Sequence, residues 1–209
     1  MIYFIVTTSL FKNCDMRKSQ YINGISKLKE VINNLGIKNY KIIIIENNDN
    51  KNTFLDTLGC TTFYTKNNFL KTRNRGYKEL QDILDCIDEF DIDDTDFVVK
   101  MTGRYVLDDN SEFMNIVKDL DKTKYDCIIK YGWYKKPSNK KIEDCITGII
   151  GMTCGFIKKI EKPKEREAVE WNWAKVTYLM KDENIYKVDK LGINICPGYE
   201  GTSNRYRKV

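Results

Sequence analysis

Phe97-Val98-Val99-Lys100-Met101-Thr102-Gly103-Arg104-Tyr105 is the stretch on which the fold class turns. A mainly apolar, β-favouring run passes into a threonine, a glycine and an arginine, the pattern of a buried strand ending in a small cationic turn. Asp91-Ile92-Asp93-Asp94-Thr95-Asp96 leads into it, so opposite charges gather at opposite ends of one element. The carboxyl-end turn suits an anionic ligand. Glycine permits close backbone approach, and an arginine fork grips oxyanions in a way lysine does not.

Ile2 to Val6 reads as a first core strand ending in Thr7-Thr8-Ser9. Tyr21, Ile25, Leu28, Ile32 and Leu35 then recur at helical spacing until Gly36, a natural C-cap. Lys41 to Ile45 is a nearly continuous β-branched run, as a parallel strand covered on both faces requires, and it stops at Glu46-Asn47-Asn48. Strand, helix, strand is a βαβ start. Thr61 to Tyr64 is a short third strand, and Asn74-Arg75-Gly76 opens a helix with Tyr77, Leu80, Leu84 and Ile87 on one face.

Beyond Met101, Phe113, Val117 and Leu120 mark a short helix, Tyr125 to Ile129 a strand, and Trp133 to Lys141 an aperiodic loop. Cys145 to Phe156 carries Gly148, Gly151 and Gly155 and reads as a strand pair whose backbone approaches a ligand or another strand. Glu165 to Met180 is helical, with Val169, Trp173, Val176 and Met180 on one face; Ile185 to Leu191 and Ile193 to Cys196 are closing strands. The pattern predicts an α/β fold: a single Rossmann-like domain over residues 1–196 with a mixed, mostly parallel central sheet flanked by helices. Residues 197–209 form a basic tail or flap.

With 209 residues, 42% hydrophobic and 31% charged, the chain can bury one full core. No apolar run is long enough to span a bilayer, and the start lacks the pattern of a signal peptide. Seven scattered cysteines without a Cys-x-x-Cys pair predict reduced thiols and a cytoplasmic setting. Histidine is absent, which excludes Ser-His-Asp and Cys-His catalysis and the usual His-containing metal sites. Acid–base work falls to carboxylates, Lys, Tyr or Cys; a metal, if one serves at all, needs oxygen donors and is a hard cation such as Mg2+ or Mn2+. A net charge of +5 steers an anionic substrate without marking a nucleic-acid protein, and no nucleic-acid partner is expected.

Three site hypotheses follow from the residues. The first is a diphosphate clamp of Lys100, Thr102, Gly103 and Arg104, joined by Arg73 and Arg75 at a helix start where free amides already favour anions. Its plain alternative is a glycine turn beside a surface ion pair. The second is Asp94-Thr95-Asp96, with the spacing of an Asp-x-Asp metal motif but at the amino end of its strand, where a solubilising acidic turn is the alternative. The third is Glu170, between Val169 and the apolar faces of Trp171 and Trp173, as general base; Glu143 and Asp144 are further candidates, and the alternative is a solvent-facing glutamate. Neither Gly-x-Gly-x-x-Gly nor a Gly-Lys-Ser/Thr loop is present, which disfavours NAD-linked and P-loop chemistry.

Taken together, the strand ending in Thr7-Thr8-Ser9, the strand ending in Glu46-Asn47-Asn48, the helix lead Asn74-Arg75-Gly76 and Phe97 to Tyr105 resemble a small GT-A type glycosyltransferase of the nucleotide-diphospho-sugar transferase superfamily. The resemblance spans the chain to about Cys196 and rests on short motifs; the composition is also similar to that of viral or AT-rich bacterial proteins. It implies that Thr7, Thr8 and Ser9 line the base or ribose pocket, that Glu46 or Asn47 meets the base or ribose, and that Arg75 and Gly76 lie beside the diphosphate. In the family an Asp-x-Asp follows the strand that here is Phe97 to Met101; Thr102-Gly103-Arg104 stands in its place, implying that Lys100 and Arg104 neutralise the leaving diphosphate wholly or partly in place of a metal. The implied partners are a nucleotide-diphosphate sugar donor and a glycan or glycoconjugate acceptor, with Trp171 or Trp133 stacking on a sugar. Lipid-linked acceptors would bring peripheral membrane association. The rival enzyme is a sugar-nucleotide nucleotidyltransferase, which needs a Gly-rich loop that Thr7-Thr8-Ser9-Leu10 lacks. A rival of another class is a sugar- or nucleic-acid-binding module using Arg205-Tyr206-Arg207-Lys208.

Overall fold

The computed structural model of the chain describes residues 1–10, 15–120, 123–132, 144–195 and 207–209. In order the elements are β1 (Ile2–Thr8), α1 (Asp15–Leu35), β2 (Tyr40–Glu46), β3 (Thr61–Tyr64), α2 (Arg75–Glu89), β4 (Phe97–Thr102), β5 (Val106–Leu107), α3 (Glu112–Lys118), β6 (Cys127–Ile129), β7 (Ile149–Thr153), α4 (Cys154–Ile157), α5 (Val169–Val176), β8 (Ile185–Lys187), β9 (Ile193–Ile195) and β10 (Arg207–Lys208). A seven-stranded sheet has the order β3-β2-β1-β4-β7-β6-β8, in which β7 alone runs against the rest. β5, β9 and β10 form a small second sheet. This is the mixed, mostly parallel α/β architecture that the sequence predicts.

The two-residue period of a strand explains why these strands are apolar throughout. Phe4, Val6, Ile42 and Ile44 pack on α1 and α3, whereas Ile5, Ile43, Ile45 and Val98 pack on α2 and α5. Burying each such side chain contributes about 1.5–3 kcal/mol, so both faces favour a covered central sheet. Gly36, at φ 66°, ends α1 in the left-handed conformation open to glycine. Asn74 caps α2: its side chain accepts from the Tyr77 amide at 3.1 Å.

Three local expectations shift. The buried stripe of α2 runs through Leu80, Ile83 and Ile87 and includes Asp82 and Cys86, so the helix is rotated from the Tyr77–Leu84 face. Residues 145–156 hold one strand and the short α4, not a strand pair, and a Cβ on Gly151 would lie 2.6 Å from the Phe97 ring. That glycine makes room for an aromatic ring, not for a ligand. α5 starts only at Val169, after Ala168 in extended conformation.

Among the described residues no helix is long and apolar enough to cross a membrane. Trp133, Glu143 and residues 196–206, with the Arg205-Tyr206 part of the tail, lie outside the described residues. Residues 207–209 do not hang loose: the Val209 amide donates to the Ile193 carbonyl at 2.9 Å.

The register positions the site. β1 lies parallel between β2 and β4, with Thr8 level with Glu46 and Thr7 level with Thr102. The chain leaves β1 towards β2 on one side and returns to β4 on the other, so their carboxyl ends flank a topological switch point, where open α/β sheets bind ligands.

Candidate active site

A cleft of about 710 Å³ opens at that point. Thr7, Thr8, Ser9, Asn47 and Thr102 form its floor at the strand ends, Arg17 and Tyr21 of α1 stand on one side, and α2 and α5 form the other.

Lys100 is not exposed to this cleft. Its side chain is 1% exposed, and its ammonium donates to the Thr147 carbonyl at 2.6 Å and the Thr102 hydroxyl at 3.2 Å and pairs with Glu79 at 2.9 Å. The expectation that Lys100 grips diphosphate is corrected on this geometry: its charge is already met inside the protein. Glu79 does reach the cleft and also accepts from the Thr7 hydroxyl at 2.7 Å. Burial pushes the Glu79 carboxyl up, but Lys100, the Thr7 hydrogen bond and Arg104 outweigh it and hold Glu79 below the usual range. One element end thus carries a locked, ionised carboxylate.

Arg104 lines the cleft just past β4, its guanidinium carbon 5.0 Å from the Tyr105 ring centroid. Gly103 is buried between layers: its amide donates to the Thr7 carbonyl at 3.0 Å, and a Cβ would stand 2.9 Å from Val6. Its smallness serves packing of the turn on β1, so the expected backbone contact with ligand is replaced by a structural role.

Glu46 is likewise fully buried and not a cleft residue. Its carboxylate accepts from the Thr8 hydroxyl at 3.0 Å, the Leu10 amide at 3.0 Å and the Asn48 side chain at 2.7 Å, tying the β1 and β2 loops together. Asn47 reaches the cleft instead and donates to Asp82 Oδ2 at 2.9 Å. Thr65 at 2.6 Å and Asn67 at 2.8 Å donate to the other Asp82 oxygen. Burial lifts the Asp82 carboxyl to about 6 despite these three donors.

On the far wall, the first turn of α2 supplies Arg75 and Lys78. Arg73 does not line the cleft: it is exposed, and its backbone amide donates to Glu165 at 2.8 Å. Gly76 lines the cleft, yet its main duty is contact with α5, since a Cβ there would sit 2.5 Å from Val169 Cβ. Glu170, in the first turn of α5, faces the same cleft, and the Cys145 thiol donates to its carbonyl at 3.3 Å. Trp171 is exposed beside it, whereas Trp173 is buried in the core. Asp144 is half-buried and not a cleft residue.

Asp94 and Asp96 lie at the opposite rim, paired with Lys158 at 2.6 Å and the Met1 amine at 2.5 Å. Among the described residues no three His, Cys, Asp or Glu side chains are grouped to hold a metal ion. The residues directly after β4, Gly103, Arg104 and Tyr105, offer no carboxylate donor to a divalent cation; a guanidinium stands there instead.

Sequence reasoning missed Arg17, Tyr21, Lys78, Glu79 and Asp82. Glu79 and Asp82 had a signal: both flank Leu80 and Ile83 in the buried stripe of α2, where an acid needs a partner or a purpose.

No family model and no curated protein matches the chain. Solved structures do. A protein described as a candidate glucose-1-phosphate thymidylyltransferase from Bacillus anthracis, crystallised with sucrose, superposes with a TM-score of 0.57 at 13% identity over 90% of this chain and 86% of that one. The bifunctional IspDF of Campylobacter jejuni gives 0.54 at 17% identity, over 100% of this chain and 51% of its own. A 4-diphosphocytidyl-2C-methyl-D-erythritol synthase from Anaerococcus prevotii gives 0.51 at 13%, over 90% and 87%. At such identities the likeness is one of fold alone.

Proposed function

We propose that this chain is a glycosyltransferase that moves a sugar from a nucleotide-diphosphate donor to a hydroxyl of a glycan or glycoconjugate. The observation that carries the reading is Arg104 at the switch point, lining one cleft with Arg75 and Lys78, in a turn, Gly103-Arg104-Tyr105, that brings no carboxylate to the end of β4. Those cations neutralise charge that grows on the departing diphosphate, the duty for which fixed guanidinium groups in a partly dry cleft are suited. Lys100, cancelled by Glu79, acts as a positioning residue for the strand ends. Thr7, Thr8, Ser9 and Asn47 form the nucleoside end.

In the reaction the bond between the anomeric carbon and the diphosphate oxygen breaks, its electron pair leaving with the nucleoside diphosphate, and a bond to the acceptor oxygen forms. Glu170 takes the acceptor proton in an inverting displacement, and exposed Trp171 offers an apolar face to the acceptor sugar. A second reading, nucleotidyl transfer to a sugar phosphate, draws support from the superposed thymidylyltransferase and diphosphocytidyl synthase.

The test is calorimetric titration with uridine and guanosine diphosphates and their sugars, with and without Mn2+, followed by product analysis. Arg104→Ala weakens donor binding about tenfold or more with or without Mn2+, and Glu170→Gln binds donor but transfers at least about 100-fold more slowly. Release of pyrophosphate from a nucleoside triphosphate and a sugar phosphate establishes the second reading instead. Binding of no nucleotide by the wild type rejects both.

A further inference from the structure

The face of α1 that bears Arg17, Tyr21 and Gly24 is pressed against the turn that carries Arg104. These residues follow at i, i+4 and i+7, one stripe of a helix. Gly24 is the contact point: a Cβ there would lie 2.2 Å from the Gly103 carbonyl oxygen and 2.7 Å from that of Tyr105. One turn nearer the cleft, Tyr21 is buried with its hydroxyl clasped by Ser9, accepting from the amide at 2.9 Å and donating to the carbonyl at 3.3 Å. One further turn brings Arg17 to the cleft wall, on the same side as Arg104 and across the strand tips from Arg75 and Lys78.

Two further observations concern this corner. Burial raises the Tyr21 phenol, and the Ser9 hydrogen bond and the charges of Arg104 and Arg17 pull it part of the way back, so both guanidinium groups act on one hydroxyl. Arg17 also sits near the amino end of a 21-residue helix, where a cation opposes the helix dipole. A residue placed against its local preference, in a cleft, is what a binding duty produces.

We propose that Arg17 is a phosphate-binding residue, forming with Arg104 a two-guanidinium subsite for the phosphoryl group beyond the α-phosphate of a bound nucleotide. As a nucleotide subsite it rests on the proposed function; as a pyrophosphate site it does not. Two planar forks, one from α1 and one from the turn after β4, lining one cleft with Tyr21, suit the several oxygens of a terminal phosphoryl group better than those of a phosphodiester.

The experiment is calorimetry on the full chain at fixed ionic strength, with inorganic pyrophosphate, UDP, GDP, UMP and GMP as probes. Arg17→Ala is expected to bind pyrophosphate and the preferred diphosphate at least tenfold more weakly, to change monophosphate affinity less than threefold, and to melt within a few degrees of the wild type. Arg17→Lys recovers only part of the loss. Should Arg17→Ala fail to fold, Arg17→Gln keeps the stem and serves in its place. Pyrophosphate binding that is absent in the wild type, or unchanged in these variants, overturns the proposal. Unchanged diphosphate binding beside intact nucleotide recognition overturns it while the proposed function stands. Arg17-dependent pyrophosphate binding without any nucleotide binding leaves the anion site standing and defeats the nucleotide reading.

Discussion

At the amino rim of the sheet Asp94 meets Lys158 at 2.6 Å with both side chains in solvent, and at the carboxyl rim Lys100 meets Glu79 at 2.9 Å with the lysine side chain 1% exposed. The two pairs are chemically alike and physically unlike. Water screens the first, whose formation ties up two flexible side chains for little gain. The second is held by Thr7, Thr102 and Thr147 at the ends of three segments, so it fixes how β1, α2 and β4 meet beneath the cleft. The lesson is that charge near a strand end becomes part of a site only where the topology also supplies shelter.

The largest effect is expected on breaking the sheltered pair. Lys100→Met leaves Glu79 without its partner in a half-buried place, and the expected loss of stability is about 3–5 kcal/mol, read as a lowered midpoint in urea. The double variant Lys100→Met with Glu79→Leu removes both charges and recovers most of that loss. If the single variant is as stable as the wild type, the pair is not sheltered and the contrast between the rims collapses.

Within the carboxyl rim a finer contrast exists between Glu79 and Asp82, one turn apart on α2 with opposite titration. Glu79 is held low, so its contribution is complete above its unfolded value and is lost as pH falls through the lower folded one. Asp82 is lifted by burial to about 6, so the folded protein holds that proton more tightly than the unfolded chain and the contribution of Asp82 falls as pH rises from about 4 to 6. The gap is on the order of 3 kcal/mol. The stability of wild type minus Asp82→Asn, measured by denaturation at stepwise pH, should therefore shift by that order in favour of the variant between pH 4 and 7. A difference that stays level with pH would place Asp82 in an ordinary polar environment.

How far the sequence revealed these places follows from the same physics. Ile2 to Val6, Lys41 to Ile45 and Phe97 to Met101 were legible because a strand covered on both faces is apolar at nearly every position, and Asn74 and Gly36 because caps have strict requirements. Arg104 and Arg75 could be placed at the cleft because parallel strands end level. Lys100 could not be read correctly. The alternation of β4 says that its side chain leaves one face of the sheet, but its partner Glu79 comes from a helix whose apparent apolar stripe, Tyr77, Leu80, Leu84 and Ile87, is rotated from the one it buries. Arg17 was hidden for a related reason: nothing in its neighbours tells that Gly24, seven residues on, draws α1 against the Arg104 turn.

The smallest effect is expected at the amino rim, and its smallness is informative. Asp94 and Asp96 have the spacing of a metal-binding pair, but each already has a cationic partner, and both stand at the end of β4 away from the cleft. Replacing both by Asn removes two exposed or half-exposed ion pairs worth about 0–1 kcal/mol each, a shift in melting temperature of no more than about 4–8 °C in total. Nucleotide affinity should stay within about twofold, because at 0.15 M salt charges separated by more than about 8 Å are largely screened. If the double variant instead abolishes Mn2+-dependent binding of a nucleotide sugar, the amino rim holds the metal, and the assignment of diphosphate to the arginines of the opposite rim fails with it.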